Sequence, residues 1–94
     1  MADTSMISAA KTALRLTTTA FDDEINSLLD AAYKDLDIAG IEIPTAEDAL
    51  IKTAAITYVR LHFGSPADYD RLKRSYDEQK AQLQTASGYG LAVT

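Results

Sequence analysis

The residues best suited to chemistry in this sequence are two aspartates, Asp35 and Asp37, which precede Gly40. Acidic residues at positions one and three and glycine at position six begin a calcium-binding EF-hand loop. Position five would be Ala39, and position twelve, which needs a bidentate glutamate, would be Ala46. Because two oxygen ligands are missing, the pattern is better interpreted as a helix end closed by glycine. We therefore predict no metal site here.

Motifs for covalent catalysis or a covalently bound cofactor are also incomplete. Acyl carrier proteins attach phosphopantetheine to a serine that follows aspartate at a helix start, but Ser27 follows Asn26 inside a helical pattern. His62 is the sole histidine and the chain has no cysteine, so no nucleophile–base pair stands out. The run 22–24, Asp-Asp-Glu, suits a helix N-terminus better than a metal ion, because adjacent helical residues point in different directions. We predict that the protein is not an enzyme and takes no cofactor.

Composition limits the classes of partner. The chain has 94 residues, of which 47% are hydrophobic, so it is predicted to form one small domain. The net charge of −5 argues against general nucleic-acid binding, which needs a basic surface. The sequence has no apolar run long enough to cross a bilayer and no basic, apolar start typical of a secretory signal. We expect a protein made in a cytoplasm and not bound to a membrane.

Charge is distributed unevenly along the chain. Residues 1–50 contain ten acidic and three basic side chains, whereas residues 51–94 contain four acidic and six basic ones. Solvation of helix faces explains this pattern in the simplest way. A second interpretation is head-to-tail attraction between copies, in which the acidic half of one copy meets the basic half of the next.

Apolar periodicity predicts four helices, at about residues 5–16, 20–39, 45–63 and 66–84. The second has the clearest stripe, and the third, rich in alanine, is expected to be central because small residues allow close helix approach. The fold class is therefore all-α, a small four-helix bundle-like domain. Its predicted core is Ile25, Leu28, Leu29, Tyr33, Leu50, Ala54, Tyr58, Leu72 and Tyr76.

Capping residues set the predicted helix boundaries. The run Thr17–Thr19 is expected to end the first helix, with Thr19 as N-cap of the second. Gly40 is expected to close the second helix. Thr45 is expected to open the third helix and Gly64 to end it. Ser65-Pro66 is expected to start the fourth helix, since proline is favoured at the first helical position.

Two segments carry apolar residues that helix packing does not obviously need: the 41–44 connection and the C-terminal end. Glycines flank Tyr89, so we expect residues 1–87 to form the helical domain and 88–94 a flexible tail. On the fourth helix, opposite charges at i, i+4 spacing predict a ladder of three pairs, namely Asp70 with Arg74, Lys73 with Asp77 and Arg74 with Glu78. The residues predicted to contact a partner are Ile41, Ile43, Arg71, Lys73, Arg74, Tyr89, Leu91 and Val93.

A set of short motifs extends, in order, over nearly the whole chain: Lys11–Leu16, Phe21–Ile25, Leu28–Ala32, Asp35–Gly40, Leu50-Ile51 with Ala54–Tyr58, His62–Gly64, Asp70–Tyr76 and Ser87–Gly90. In these motifs and their spacing the chain resembles phage head–tail connector proteins, also called head completion or adaptor proteins. Their frequent label of DNA-packaging protein describes the gene neighbourhood more than the chemistry.

The resemblance implies a structural role without enzymatic activity or cofactor. It implies a homo-oligomeric ring, dodecameric on the portal, that docks beneath the portal protein and extends the DNA exit channel. The opposite side of the ring would bind a tail-side stopper or tail-completion protein, and DNA would pass through without specific binding. The location would be the head–tail interface of the virion, after synthesis in the bacterial host cytoplasm. The competing interpretation is a small cytoplasmic helical module that regulates a partner, and such a module would stay monomeric or dimeric.

Overall fold

The computed structural model describes residues 4–42 and 48–85. Within these ranges it contains four α-helices and no strand, namely α1 (Thr4–Leu14), α2 (Asp22–Ile38), α3 (Ala49–His62) and α4 (Tyr69–Thr85). The all-α prediction is confirmed. The predicted boundary between a 1–87 domain and an 88–94 tail lies outside the described residues.

The α3 helix is central, as predicted, because it packs against α1, α2 and α4. Its neighbouring alanines Ala54 and Ala55 are both fully buried, so two different helix faces are in close contact with other elements. The first core cluster joins α1, α2 and α3 through Met6, Ala10, Ile25, Leu29, Ala32, Ala55 and Val59. The second joins α2, α3 and α4 through Leu36, Ile41, Ile51, Ala54, Leu61, Leu72, Tyr76 and Leu83.

Gly40 ends α2, as predicted from the sequence. Its φ of 87° is in the left-handed region, where glycine carries no Cβ penalty. The Gly40 N–H donates to the Asp37 carbonyl at 2.9 Å, and the Ile41 N–H donates to the Leu36 carbonyl at 3.1 Å. These two bonds form a Schellman motif, in which the residue after the glycine packs back on the helix. Ile41 does so and is only 2% exposed.

The C-terminus of α1 has the same motif without a glycine, and it ends the helix two residues earlier than predicted. Arg15 has φ 60°, the Arg15 N–H donates to the Thr12 carbonyl at 3.1 Å, and the Leu16 N–H donates to the Lys11 carbonyl at 2.9 Å. The threonine run 17–19 follows the helix end and does not cause it. The return of Leu16 onto the first core cluster favours this turn despite the cost of a left-handed arginine.

The N-termini of α2 and α3 also begin later than predicted. The Thr18 hydroxyl accepts from the Ala20 N–H at 3.1 Å, and α2 starts at Asp22 with Phe21 at the N-cap, so the capping role predicted for Thr19 is wrong. In α3, Asp48 Oδ1 accepts from the Leu50 N–H at 3.0 Å and from the Ile51 N–H at 3.2 Å. The aspartate therefore starts the helix at Ala49. Thr45 lies outside the described residues.

The fourth helix begins three residues after Pro66, at Tyr69. The backbone carbonyl of Asp68, the residue before α4, accepts a hydrogen bond from the Leu72 N–H at 3.0 Å. Aspartate is a favoured residue before a helix, and Asp68 displaces the predicted Ser65-Pro66 start. Gly64, with φ 64°, follows the end of α3 as predicted. Residues 63–68 thus form a connection between α3 and α4, and the helix does not restart directly at Ser65-Pro66.

Most of the predicted core is correct. Ile25, Leu29 and Ala54 are fully buried, and Leu72 and Tyr76 are buried to within 3% exposure. Three further residues are partly buried against the core, namely Leu28, Tyr33 and Tyr58. The prediction is wrong for Leu50, which is 44% exposed, because the next residue, Ile51, takes the inward position in the first turn of α3.

Replacing Leu29 by Ala is expected to lower the free energy of unfolding by about 2–5 kcal/mol, because a fully buried leucine leaves a cavity. Leu50→Ala is the matched control, since the same atoms are removed from an exposed site and the effect should stay within about 0.5 kcal/mol. Urea unfolding followed by circular dichroism measures both. Equal losses for the two variants would contradict the packing described for α2 and α3.

Candidate assembly surface

A polar cluster holds α4 against the end of α2. Asp35 Oδ2 accepts from the Tyr76 hydroxyl at 2.5 Å and from Lys80 Nζ at 3.1 Å. We call these three residues, Asp35, Tyr76 and Lys80, the α2–α4 clasp. One turn further on, Gln84 Nε2 donates to the Ala39 carbonyl at 3.1 Å. The sequence of α4 thus supplies donors at three successive turns to acceptors at the end of α2.

The environment of the clasp fixes its protonation state. Burial raises the pKa of Tyr76, and the hydrogen bond to the Asp35 carboxylate raises it further, so the phenol stays a donor. For Asp35, partial burial alone would raise the pKa, but the bonds from Tyr76 and Lys80 together hold it below its usual value. The Tyr58 ring lies 5.4 Å from the Tyr76 ring, and burial raises the pKa of Tyr58 as well. These pKa shifts favour an ionised Asp35 beside two neutral phenols, Tyr58 and Tyr76.

This arrangement gives Asp35 a packing role in place of the calcium role considered for it. Its oxygen is bonded to side chains of α4, and Asp37 is exposed on the other side of the helix. Among residues 4–42 and 48–85, no group of three or more histidine, aspartate or glutamate side chains is arranged to hold a metal ion.

The outer face of α4 carries the three basic residues predicted to contact a partner. Arg71 bonds to the Asp68 carboxylate, which lowers the pKa of Asp68. The predicted pair of Lys73 with Asp77 is confirmed, with Lys73 Nζ 2.7 Å from Asp77 Oδ2. Arg74 is exposed and forms no ion pair with another described residue, so the predicted pairs with Asp70 and Glu78 are absent. Arg74 is therefore the cation of this face with its charge most available to a partner.

A shallow depression lies beside Arg74 on the same face. It is lined by Asp70, Lys73, Arg74, Asp77, Glu78 and Ala81. The small side chain of Ala81 leaves space among longer charged neighbours, which is the shape that accepts a protruding side chain from another surface.

One group of the acidic residues in the first half of the chain lies at the start of α2. Asp22 lies 3.0 Å from Lys11 of α1, so its charge is compensated within the domain. Asp23 and Glu24 are exposed in the same helical turn, and neither forms an ion pair with another described residue. This end of α2 is the acidic surface with the opposite sign to Arg74.

The apolar residues predicted to contact a partner fall into two groups. Ile41 is buried in the second core cluster, so the expectation that helix packing leaves it free is wrong. The Schellman motif that directs Ile41 inward follows from Gly40, and this signal was present in the sequence. The other four, Ile43, Tyr89, Leu91 and Val93, lie outside the described residues.

Three apolar side chains are exposed against expectation, since the helical period places Phe21 and Tyr69 on the inward stripes of the second and fourth helices and does not single out Ile38. Ile38 is 74% exposed, Phe21 is 40% exposed and Tyr69 is 46% exposed. Ile38 lies off the buried stripe of α2, whose last member is Leu36, and that offset was readable from the helical period. Phe21 packs edge-on against Phe63 with ring centroids 5.4 Å apart, a contact that periodicity cannot predict.

Comparison with known proteins identifies one relationship. A family model described as phage connector protein matches residues 6–90 of the chain. No curated protein matches the chain, and no solved structure matches it. In the described part of the chain, no helix is long and apolar enough to cross a membrane.

Tyr76→Phe is expected to lower the free energy of unfolding at pH 7 by about 1 kcal/mol, because it removes a hydrogen bond to a carboxylate that water partly screens. The pKa of Asp35 is lower in the folded protein than the unfolded value near 3.8. The stabilisation is therefore fully present above that value and is lost as the pH falls through the lower folded one. Urea unfolding at pH 7 and at acidic pH measures the difference.

Tyr69→Phe is the control for this experiment, since Tyr69 is exposed and forms no hydrogen bond with another described residue. It should leave stability unchanged at both pH values. A loss in Tyr76→Phe that is the same at neutral and acidic pH would show that packing, and not the bond to Asp35, causes it.

Proposed function

The chain belongs to the phage connector protein family, and from that membership we propose that it is a structural adaptor at the head–tail junction of a phage particle. Copies form a ring, dodecameric on the portal, that docks beneath the portal protein and receives a stopper or tail-completion protein on its other side. The family match over residues 6–90, which includes most of every helix, carries this proposal. The protein is made in the host cytoplasm and acts in the virion.

A ring requires each copy to present two different surfaces that fit each other. The acidic start of α2, with Asp23 and Glu24, and the outer face of α4, with Arg74, supply surfaces of opposite sign. Both surfaces lie on one domain. In a head-to-tail ring, each copy therefore contacts one neighbour through its acidic surface and the other neighbour through its basic surface. If the same two surfaces paired within a closed dimer, neither would remain available to extend the assembly.

The net charge of −5 also suits a channel through which DNA moves. A basic lining would neutralise phosphates and hold the duplex, whereas an acidic lining repels it weakly and allows it to slide. The proposed function needs no catalysis and no cofactor, since the task of an adaptor is to position its neighbours. The ordered polar groups near α4 serve that task by fixing the helix.

Arg74→Glu is expected to weaken ring formation, because it places a negative charge where the acidic surface of the next copy would dock. Lys34→Glu is the matched control: it changes the net charge equally, but Lys34 is an exposed residue of the acidic helix α2. The control should leave assembly unchanged or strengthen it. Analytical ultracentrifugation or negative-stain microscopy, with and without portal, measures the fraction of protein in rings.

Salt provides an independent test of the same electrostatic contact. Exposed charge pairs contribute about 0.2–1 kcal/mol each and are screened over about 8–10 Å at physiological ionic strength. Ring yield should fall as salt rises, and it should fall at lower salt for Arg74→Glu. If ring yield is constant from low to high salt, or both charge variants assemble equally, apolar contacts and not these charges control assembly.

Deletion of residues 88–94 is expected to leave the melting temperature almost unchanged, since no core residue of the described chain lies beyond Leu83. The same deletion is expected to abolish attachment to the portal or to the tail-side protein, because the removed segment includes Tyr89, Leu91 and Val93. Differential scanning calorimetry measures the first effect and particle complementation the second. Infectious particles completed by the truncated protein would place the docking surface on the helices instead.

A further inference from the structure

A groove lies at the end of the domain where α1 and α3 finish and α4 begins. Its walls combine apolar side chains from three parts of the chain with one arginine: Leu14, Phe63, Pro66, Leu72 and Arg60. The groove has a volume of about 390 Å³. A Cβ built on Gly64, which also lines it, would meet nothing within 4 Å beyond its chain neighbours. The groove therefore has room for a side chain from another molecule.

Positive charge in this groove is not fully compensated. Arg60 is partly buried and forms no ion pair with another described residue. Asp68 also lines the groove, but its carboxylate is already bonded to Arg71, which is the main reason why the pKa of Asp68 is lowered. Arg60 lowers that pKa further through space, so two guanidinium groups act on one carboxylate. The groove therefore fits an apolar side chain that has a second carboxylate beside it.

The end of α2 presents such a pair of groups. Ile38 is 74% exposed, more than any other large apolar side chain of the described residues, and packing within the described chain does not account for it. Asp37, the residue before it, is also exposed. The last turn of α2 contains no basic residue, so the negative end of the helix is not compensated within α2. An isoleucine beside a carboxylate thus projects from the domain.

Ile38 and the groove cannot meet within one chain. Phe21, just before α2, contacts Phe63 of the groove, with ring centroids 5.4 Å apart. Ile38 lies at the other end of the 17-residue helix α2, about 25 Å away at 1.5 Å per residue. A head-to-tail interface needs two such surfaces, different from each other and separate on each copy.

We propose that Ile38 of each copy inserts into the groove of the next copy in the ring, with Asp37 beside Arg60. The contact rests on the proposed ring function and adds an apolar anchor to the charged surfaces described above. Both contacts join α2 of one copy to the α4 side of its neighbour, so they belong to the same interface. A single side chain and a single ion pair bind two free copies weakly. In a closed ring each copy makes the contact twice, once through Ile38 and once through its groove, which strengthens the assembly.

Site-specific crosslinking tests the contact, since the chain has no native cysteine. Lys34→Cys places a thiol one turn before Ile38 on the exposed side of α2, and Ser65→Cys places one in the groove. Within one chain these thiols are separated by about 20 Å of α2, which is farther than a short bifunctional maleimide reaches. Rings treated with this reagent, alone or on the portal, are expected to give a ladder of covalent multimers on denaturing electrophoresis. Dilute monomer should give none.

The control pair is Leu50→Cys with Ser65→Cys. Leu50 is also exposed and lies at the same end of the domain as Ile38, where α3 begins, but it is not part of the proposed contact. This pair should give no ladder. Rings in which the Lys34–Ser65 pair gives no ladder, or no more than the control pair, would overturn the contact and leave the connector role standing. Failure of the wild-type protein to form rings, alone or on the portal, would overturn both.

Charge reversal provides a second measurement. Asp37→Lys is expected to raise the protein concentration needed for half-maximal ring assembly about tenfold, because it places two like charges together. Adding Arg60→Glu should restore assembly, whereas adding Arg74→Glu, the control, should not. Restoration by neither variant, or by both equally, would overturn the pairing of Asp37 with Arg60.

Ile38→Ser tests the apolar part of the contact without changing any charge. The melting temperature should stay that of the wild type, since the side chain is 74% exposed, and half-maximal assembly should again need about tenfold more protein. This variant also decides the proposal if substitution of the partly buried Arg60 prevents folding. Assembly of Ile38→Ser at wild-type concentration would overturn the insertion of Ile38 into the groove.

Discussion

The structure depends on the requirement that α3 be buried on two faces at once. Ala55 and Val59 face the cluster shared with α1 and α2, whereas Ile51, Ala54 and Leu61 face the cluster shared with α4. The adjacent alanines lie where these two faces meet, and larger side chains there would force the helices apart. A chain of 94 residues can afford only a small core, so placing one helix between two clusters uses its apolar residues efficiently.

The polar clasp also follows from the small size of the core. The second core cluster holds α4, and the Tyr76 hydroxyl lies at its edge, where it would lose free energy without a partner. Asp35 supplies that partner, and the hydrogen bonds from Tyr76 and Lys80 together lower the pKa of Asp35. Apolar contacts alone would tolerate a shift of α4 by part of a turn, whereas a bonded carboxylate, phenol and ammonium specify one register.

Local patterns predicted the helices and most of their buried faces, because a stripe such as Ile25, Leu29 and Leu36 in α2 depends only on the helical period. The end of α2 at Gly40 was also predictable, because glycine takes the left-handed conformation that commonly closes a helix. The left-handed Arg15 was not, since its cost is offset by packing that sequence spacing does not contain. The clasp joins residues 41 positions apart and could be found only from the relative placement of α2 and α4.

In the proposed ring, the strength of the contacts that α4 already makes would matter more than the number of its charges. Two of the outer cations, Arg71 and Lys73, already have carboxylate partners close in sequence, Asp68 and Asp77, and such exposed pairs are weak enough to rearrange when a neighbour approaches. Arg74 offers its charge without first breaking a pair with a described residue. In the proposed ring, an interface with one available cation and several weak, replaceable pairs would bind reversibly until the ring closed. Misplaced copies would then dissociate, whereas strong pairwise contacts would trap incomplete assemblies.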